Sequence, residues 1–172
     1  CQYKQGQGKD YMPSVTPRQK IKKVNLFGKE WVEVVLTGDT FDDAYHEAVR
    51  DAEENGKEFI HPFNDPRTIE GQGTVGLEIL EDCNESLDYV FCAIGGGGLV
   101  SGLGSYFHQL SPNTKIIGVE PAGAPAMYES LKAGEPVTLE HIDSFVDGAA
   151  VRRVGDLTFK ISQQVVDDMV LV

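Results

Sequence analysis

Four consecutive glycines, Gly95 to Gly98, precede Leu99 between an apolar segment and a segment with helical spacing. A run of glycines loses much backbone entropy on folding, so it is typical of a place where bare backbone approaches a ligand closely. Backbone N–H groups at the start of a helix bind anions, because the positive end of the helix dipole lies there. The run therefore indicates a phosphate-binding loop; the alternative is a tight turn that packs against a neighbouring helix.

A second glycine motif, residues 71–76, has the spacing G-x-G-x-x-G of dinucleotide-binding loops. That motif binds a dinucleotide only where it directly follows a strand. Here residues 65–70 precede it, and their sequence, DPRTIE, is not that of a strand. We therefore predict no nicotinamide or flavin site.

The other catalytic templates are not met. The four histidines are scattered and form no metal-binding spacing. Ser101 does not stand at the centre of G-x-S-x-G, so there is no nucleophile elbow. Residues 99–101 read Leu-Val-Ser where a Walker motif would have Gly-Lys-Ser/Thr. The carboxylate pairs lie in solvent-type contexts. No catalytic residue is predicted from the residues alone.

Strand and helix signals alternate along the chain, which predicts an α/β protein with a mainly parallel sheet and flanking helices. The segment 89–94 is almost entirely apolar, as in a parallel strand that is buried on both faces. Residues 1–10 are polar and without period, so they predict a loop or a frayed end. The predicted strands are 31–36, 58–61, 89–94, 115–120 and 169–172, and the predicted helices are 16–28, 40–55, 73–80, 98–110, 125–133 and 156–164.

Composition excludes several classes of partner. The 172 residues carry a formal net charge of −12, which repels phosphate backbones and anionic lipid. We therefore expect no nucleic-acid or membrane partner. Three cysteines make an odd count without framework spacing, so a disulfide scaffold is not expected and a reducing cytoplasm fits best.

Several segments resemble the fold-type II pyridoxal-phosphate enzymes, whose architecture is that of the tryptophan synthase β chain. Within that group the chain is similar to the threonine dehydratases. The resemblance runs from Tyr11 to Val172, and the chain looks like an internal, incomplete piece of such an enzyme. The segments that carry it are Met12-Pro13, Thr16-Pro17, Lys20, 34–44 (VVLTGDTFDDA), 59–74 (FIHPFNDPRTIEGQGT), 88–104 (DYVFCAIGGGGLVSGLG) and 115–121 (KIIGVEP).

The resemblance implies a cofactor, pyridoxal 5'-phosphate, and a small amino-acid substrate. The implied reaction is deamination of L-threonine, and of L-serine, to a 2-oxo acid and ammonia, in isoleucine biosynthesis or threonine catabolism. A cytoplasmic homo-oligomer is expected for the full-length enzyme. The residues implied to bind the cofactor are Gly95, Gly96, Gly97, Gly98 and Leu99 at the phosphate and Gly148, in the stretch Asp147-Gly148-Ala149, near the ring; a turn before a helix is the alternative for that stretch.

The resemblance also implies what the chain lacks. The family's Schiff-base lysine stands in an S-x-K-x-R setting, and no lysine from Lys4 to Lys160 has it, so the chain alone is expected to be inactive. Glu120 and Ala124 fall where some relatives bind a cation, but Ala126 replaces the third, acidic ligand, so no metal is predicted. A non-catalytic anion-binding α/β module and a serine racemase-like enzyme remain alternatives.

The resemblance implies that residues 1–70 are part of a small domain and that residues 71–172 are part of a large domain that binds the cofactor phosphate. Where the family has an apolar strand before Tyr11, residues 4–10 read KQGQGKD. Unpaired buried charge is costly. The segment is therefore either an exposed edge strand or a disordered or altered end.

Overall fold

The computed structural model describes residues 5–83, 85–143, 145–146 and 148–172. They form α/β structure that divides into two compact units, Cys1–Phe59 and Ile60–Val172. The assignment of residues 1–70 and 71–172 to a small and a large domain stays a prediction. The strands are β1 (Gly8–Met12), β2 (Val32–Leu36), β3 (Tyr89–Ala93), β4 (Lys115–Glu120) and β5 (Asp168–Leu171), and the α-helices are α1 (Arg18–Gly28), α2 (Phe41–Glu54), α3 (Pro66–Asp82), α4 (Gly98–Leu110), α5 (Ala126–Ala133) and α6 (Asp156–Val165).

The first unit is a two-stranded parallel sheet with helices α1 and α2 packed against it. The register places Gly8 opposite Val32 and Met12 opposite Leu36. A short 3-10 turn over Lys29–Trp31 joins α1 to β2. Helix α2 begins with a reciprocal capping box between Thr40 and Asp43, which satisfies backbone donors of its first turn.

Strand β1 resolves the alternatives for the polar segment at the start of the chain. Within the described part of the chain it is an edge strand rather than a frayed end, because Gly8–Met12 pairs along its whole length with β2 and with no other described strand. The Lys9 ammonium lies 2.9 Å from the Asp51 carboxylate, and Lys57 approaches the same carboxylate at 3.4 Å. A charged residue is therefore tolerated in this strand, since it is ion-paired at the surface. Residues 1–4 lie outside the described part.

Replacing Asp51 by asparagine is expected to weaken the first unit and to flatten its acid dependence. The hydrogen bond from Lys9 lowers the pKa of Asp51 from 3.8 to about 2. The ionised pair therefore stabilises the fold above pH 3.8, and this contribution is lost as pH falls towards 2. Trp31, the chain's single tryptophan, belongs to this unit, so its fluorescence during unfolding from pH 2 to 6 measures the effect.

The matched control for this prediction is Glu53→Gln, which removes an exposed carboxylate from the same helix. The control should leave the unfolding midpoint at pH 6 close to that of the natural chain. An Asp51→Asn variant with the same midpoint and the same acid dependence as the natural chain would contradict the ion-pair interpretation.

The second unit contains a three-stranded parallel sheet in the order β3-β4-β5. Helix α4 packs on β3 and between α3 and α6, and α5 contacts α6. The core lies between one face of this sheet and the helices; its fully buried members include Ile94, Val100, Phe107, Met127 and Val154. The predicted α/β class with parallel sheets is confirmed.

Strand β3 differs from its prediction in burial. Cys92 faces the core and is 3% exposed, but Tyr89 and Phe91 on the other face are 60% and 67% exposed. The prediction of burial on both faces was therefore wrong for the described residues, among which no helix covers that second face. An apolar strand sequence indicates that both faces of the strand can pack against apolar groups, but it does not show that both are covered.

Two element predictions between residues 58 and 80 were wrong. Residues 58–61 form no strand; instead they lead into the turn that precedes α3. Helix α3 begins at Pro66, well before the predicted start at 73. Asp65 caps this helix by accepting a hydrogen bond from the Arg67 N–H at 2.8 Å, and proline at the first helical position supports the start.

No helix in the described part of the chain is both long and apolar enough to cross a membrane. Cys83 and Cys92 are free thiols. Burial raises the pKa of Cys92 to about 11, so this thiol stays protonated at neutral pH.

Candidate functional site

The glycine run forms the connection between β3 and α4. Gly97 is the residue before the first helical turn, and its φ of +92° lies in the left-handed region that favours glycine. No described side chain caps the helix, and the N–H groups of Gly97, Gly98 and Leu99 donate to no described residue. These donors at a helix N-terminus suit an anion.

Close packing requires glycine throughout the loop. A β-carbon on Gly95 would lie 3.1 Å from the Ala149 Cα, and one on Gly98 would lie 3.0 Å from the Phe63 Cβ. A β-carbon on Gly96 would collide with the Phe63 ring, and one on Gly97 would lie 2.7 Å from the Met127 methyl group. The loop therefore packs tightly against neighbouring groups, and it leaves backbone donors unused that would suit a phosphate. Binding of a phosphate by this loop stays a prediction.

The turn at residues 61–64 holds Phe63 against the loop. The His61 Nδ1 accepts hydrogen bonds from the N–H groups of Phe63 at 3.2 Å and Asn64 at 2.8 Å. Asn64 Oδ1 in turn accepts from the Leu157 N–H at 2.9 Å, which ties the turn to α6. Burial lowers the pKa of His61, which favours the neutral ring whose Nδ1 accepts these bonds. The sequence reasoning missed this support, since only the fold brings residue 63 to residue 96.

Ala149, which follows Gly148 in the chain, packs against the glycine loop. The Ala149 backbone is the closest group to Gly95, and the Ala149 N–H donates to the Val146 carbonyl at 3.0 Å. A β-carbon on Gly148 would meet nothing within 4 Å. Asp147, from the same predicted stretch, lies outside the described residues. The structure therefore places Ala149 against Gly95, and a role for Gly148 at the cofactor stays a prediction.

Glu120 caps a helix with both of its oxygens. It is fully buried at the end of β4, and its carboxylate accepts hydrogen bonds at 2.8 Å from the N–H groups of Met127 and Tyr128 in α5. Burial raises its pKa to about 7. Within the described ranges no group of three His, Cys, Asp or Glu side chains could hold a metal ion. The absence of a metal stays a prediction.

The remaining candidates lie away from the loop or are used in packing. Residues 71–76 lie inside helix α3, so this glycine motif forms no phosphate loop. Ser101 is fully buried and donates to the Thr158 carbonyl at 3.3 Å. Lys115 begins β4, opposite Tyr89 at the other end of β3 from the loop, and its ammonium is 2.7 Å from the Asp167 carboxylate. These groups have structural roles.

An apolar cavity of about 690 Å³ lies along helices α3, α4 and α6. Its lining includes Ile69, Leu77, Tyr106 and Ile161. None of the predicted cofactor-binding residues contributes to it. The cavity is therefore separate from the glycine loop.

Comparison with known proteins identifies the family of the chain. Residues 8–172 match the protein family described as "Pyridoxal-phosphate dependent enzyme". The chain belongs to this family. Pyridoxal phosphate carries a phosphate, which the unused backbone donors of Gly97, Gly98 and Leu99 fit in charge and in kind.

The curated relatives of this chain are longer than the chain itself. All 172 residues align with the L-threonine dehydratase biosynthetic IlvA of Halalkalibacterium halodurans at 56% identity. The alignment covers 41% of that protein. The chain thus spans about two fifths of the length of the curated relatives it matches.

Solved structures confirm the fold-type II architecture. The processed form of threonine deaminase isoform 2 from Solanum lycopersicum is 47% identical, with a TM-score of 0.86 over 95% of this chain and 47% of that one. Maize serine racemase is 32% identical, with a TM-score of 0.87 over 96% of this chain and 49% of that one. The higher identity lies with the threonine enzyme.

Proposed function

We propose that the whole protein catalyses the pyridoxal-phosphate-dependent deamination of L-threonine to 2-oxobutanoate and ammonia, and of L-serine to pyruvate and ammonia. One observation carries the proposal. All 172 residues align at 56% identity with a biosynthetic L-threonine dehydratase, whereas identity to the serine racemases among the solved structures is 31% and 32%. The relative's name, a biosynthetic L-threonine dehydratase, supports a biosynthetic role. The proposal places this role in isoleucine biosynthesis and takes the whole protein to be a cytoplasmic homo-oligomer.

In this proposal the glycine loop anchors the cofactor. The N–H groups of Gly95, Gly96, Gly97, Gly98 and Leu99 surround the phosphate, and Gly148 borders the ring. Free backbone donors, the helix dipole of α4 and the close approach that only glycine permits support this assignment. When it is bound, the cofactor withdraws electrons from the α-carbon of the amino acid.

In this proposal the residues of this chain bind and orient the cofactor, and none of them transfers a proton in the reaction. We assign no catalytic residue within 1–172, because no lysine stands in the family's S-x-K-x-R setting. The 172-residue chain by itself is therefore expected to retain affinity for the phosphate of the cofactor and to show no turnover of L-threonine.

The test is an assay of the full-length protein with L-threonine and L-serine. Release of 2-oxobutanoate and ammonia in equal amounts, with L-serine giving pyruvate, is the expected result. Chiral chromatography of the remaining serine provides the comparison, because accumulation of D-serine without 2-oxo acid would favour a racemase. Binding of pyridoxal phosphate without either reaction would favour the non-catalytic module.

A further inference from the structure

Thr158 lies buried on α6 directly against the glycine loop. Its Oγ1 is 2.6 Å from the Gly96 carbonyl oxygen and 3.1 Å from the Gly155 carbonyl oxygen, and the residue has no exposed surface. A threonine hydroxyl has one proton, and the shorter distance assigns that proton to Gly96. The Gly155 N–H also points to the Gly96 carbonyl, at 3.4 Å. Two donors at the start of α6 therefore hold this carbonyl.

Fixing the Gly96 carbonyl also fixes the N–H of Gly97. The peptide between them is planar and trans, as are all peptide bonds of the described chain, so its C=O and N–H point in opposite directions. Because the carbonyl points to α6, the Gly97 N–H points away from α6. This N–H is one of the donors that no described residue uses.

The hydrogen bond matters because glycine flanks this peptide on both sides. Residues with a side chain restrict φ and ψ, whereas glycines allow a peptide plane to rotate between orientations with little penalty. A loop of four glycines therefore needs an external contact to keep its donors pointed in one direction. Thr158 provides that contact from a position 62 residues further along the chain.

We propose that Thr158 is a positioning residue for the cofactor phosphate. Its hydroxyl holds the Gly96 carbonyl inward, so that the Gly97 N–H is presented to the anion before binding. The inference rests on the proposed function, since it names what sets the donor direction in that same site. Thr158 itself touches no cofactor atom in this proposal.

Packing and hydrogen bonding by Thr158 can be separated. Its Cβ would lie 2.9 Å from a β-carbon on Gly97, so the side chain also fills space beneath the loop. Valine preserves that volume and removes the hydroxyl, whereas serine preserves the hydroxyl and removes a methyl group. A role in packing alone would favour valine, and a positioning role would favour serine.

The experiment compares the variants Thr158→Val and Thr158→Ser of the full-length protein. Equilibrium dialysis measures the affinities for pyridoxal phosphate and for pyridoxal, which lacks the phosphate. We expect Thr158→Val to bind pyridoxal phosphate about tenfold more weakly than the natural chain, since a hydrogen bond to a charged group is weakened. Affinity for pyridoxal should not change. Thr158→Ser should retain the natural preference for the phosphorylated form.

Circular dichroism verifies the fold of each variant. If Thr158→Val does not fold, the pair Thr158→Ala and Thr158→Ser makes the same comparison, because these two differ only in the hydroxyl. Equal affinity for pyridoxal phosphate with and without the hydroxyl would overturn the inference and leave the site assignment intact. A natural chain with no preference for pyridoxal phosphate over pyridoxal would overturn the proposed phosphate site, and the inference with it.

Discussion

Replacing Gly96 by alanine is expected to weaken the binding of pyridoxal phosphate by about tenfold to a hundredfold. The β-carbon would fall on the Phe63 ring, whose Cδ2 would be 2.6 Å away. Either the ring or the loop must move, and movement of the loop misaligns the backbone donors for the phosphate. Loss of one or two hydrogen bonds to a charged group corresponds to a factor of about ten to a hundred in affinity.

The Phe63 ring has little freedom to give way. Its centroid is 4.6 Å from that of the His61 ring, in an edge-to-face arrangement. The His61 Nδ1 accepts from the Phe63 N–H, and the adjacent Asn64 accepts from the Leu157 N–H of α6. Since the backbone on both sides of the ring is held, the loop is the part that shifts.

A double-mutant cycle with Phe63→Ala tests this mechanism through titration of pyridoxal phosphate. Alanine at position 63 removes the ring atoms that the new β-carbon would meet, so Gly96→Ala should cost much less affinity in that background. Gly71→Ala serves as the control, because a β-carbon at Gly71 in α3 meets nothing within 4 Å. Equal losses in both backgrounds would show that the collision with Phe63 is not the cause.

Replacing Gly102 by alanine is expected to destabilise the second unit by about 2–3 kcal/mol, the upper part of the usual range for overpacking. Gly102 lies in α4 where this helix crosses α3. A β-carbon there would lie 2.6 Å from the Gly73 nitrogen and 2.9 Å from the Gln72 carbonyl carbon, and it would collide with the Ile69 carbonyl oxygen. All three are backbone atoms, so relief requires movement of a whole helix.

Thermal unfolding followed by far-UV circular dichroism measures this effect, since helices α3 and α4 contribute strongly to that signal. The matched control is again Gly71→Ala, in the neighbouring helix α3. There the new methyl group meets open space, and alanine in a helix interior stabilises by about 0.5–1 kcal/mol. A Gly102→Ala variant as stable as the natural chain would show that the two helices do not pack as closely as described.

Local sequence signals predicted most of the elements of the second unit. The apolar segment before Gly95 forms β3, and the glycine run forms the connection to α4. Both were predictable because each signal depends on a few neighbouring residues. The errors arose where two local signals competed. Residues 58–61 have strand-like composition, but they form no strand in the part of the chain that the structure describes. In α3 the Asp65-Pro66 start signal outweighed the glycines within the helix.

The sequence alone determined the α/β class, the phosphate-loop hypothesis and the resemblance to fold-type II enzymes. The first two inferences need only residue types at short spacing, whereas the resemblance rests on segments spread from Tyr11 to Val172. The tertiary structure decided that β1 is an edge strand among the described residues, with an ion-paired Lys9. It also decided that Phe63 packs on Gly96 and that Thr158 donates to the Gly96 carbonyl. These contacts join residues that are 33 to 62 positions apart in the chain. Local spacing carries no information about which distant groups will meet.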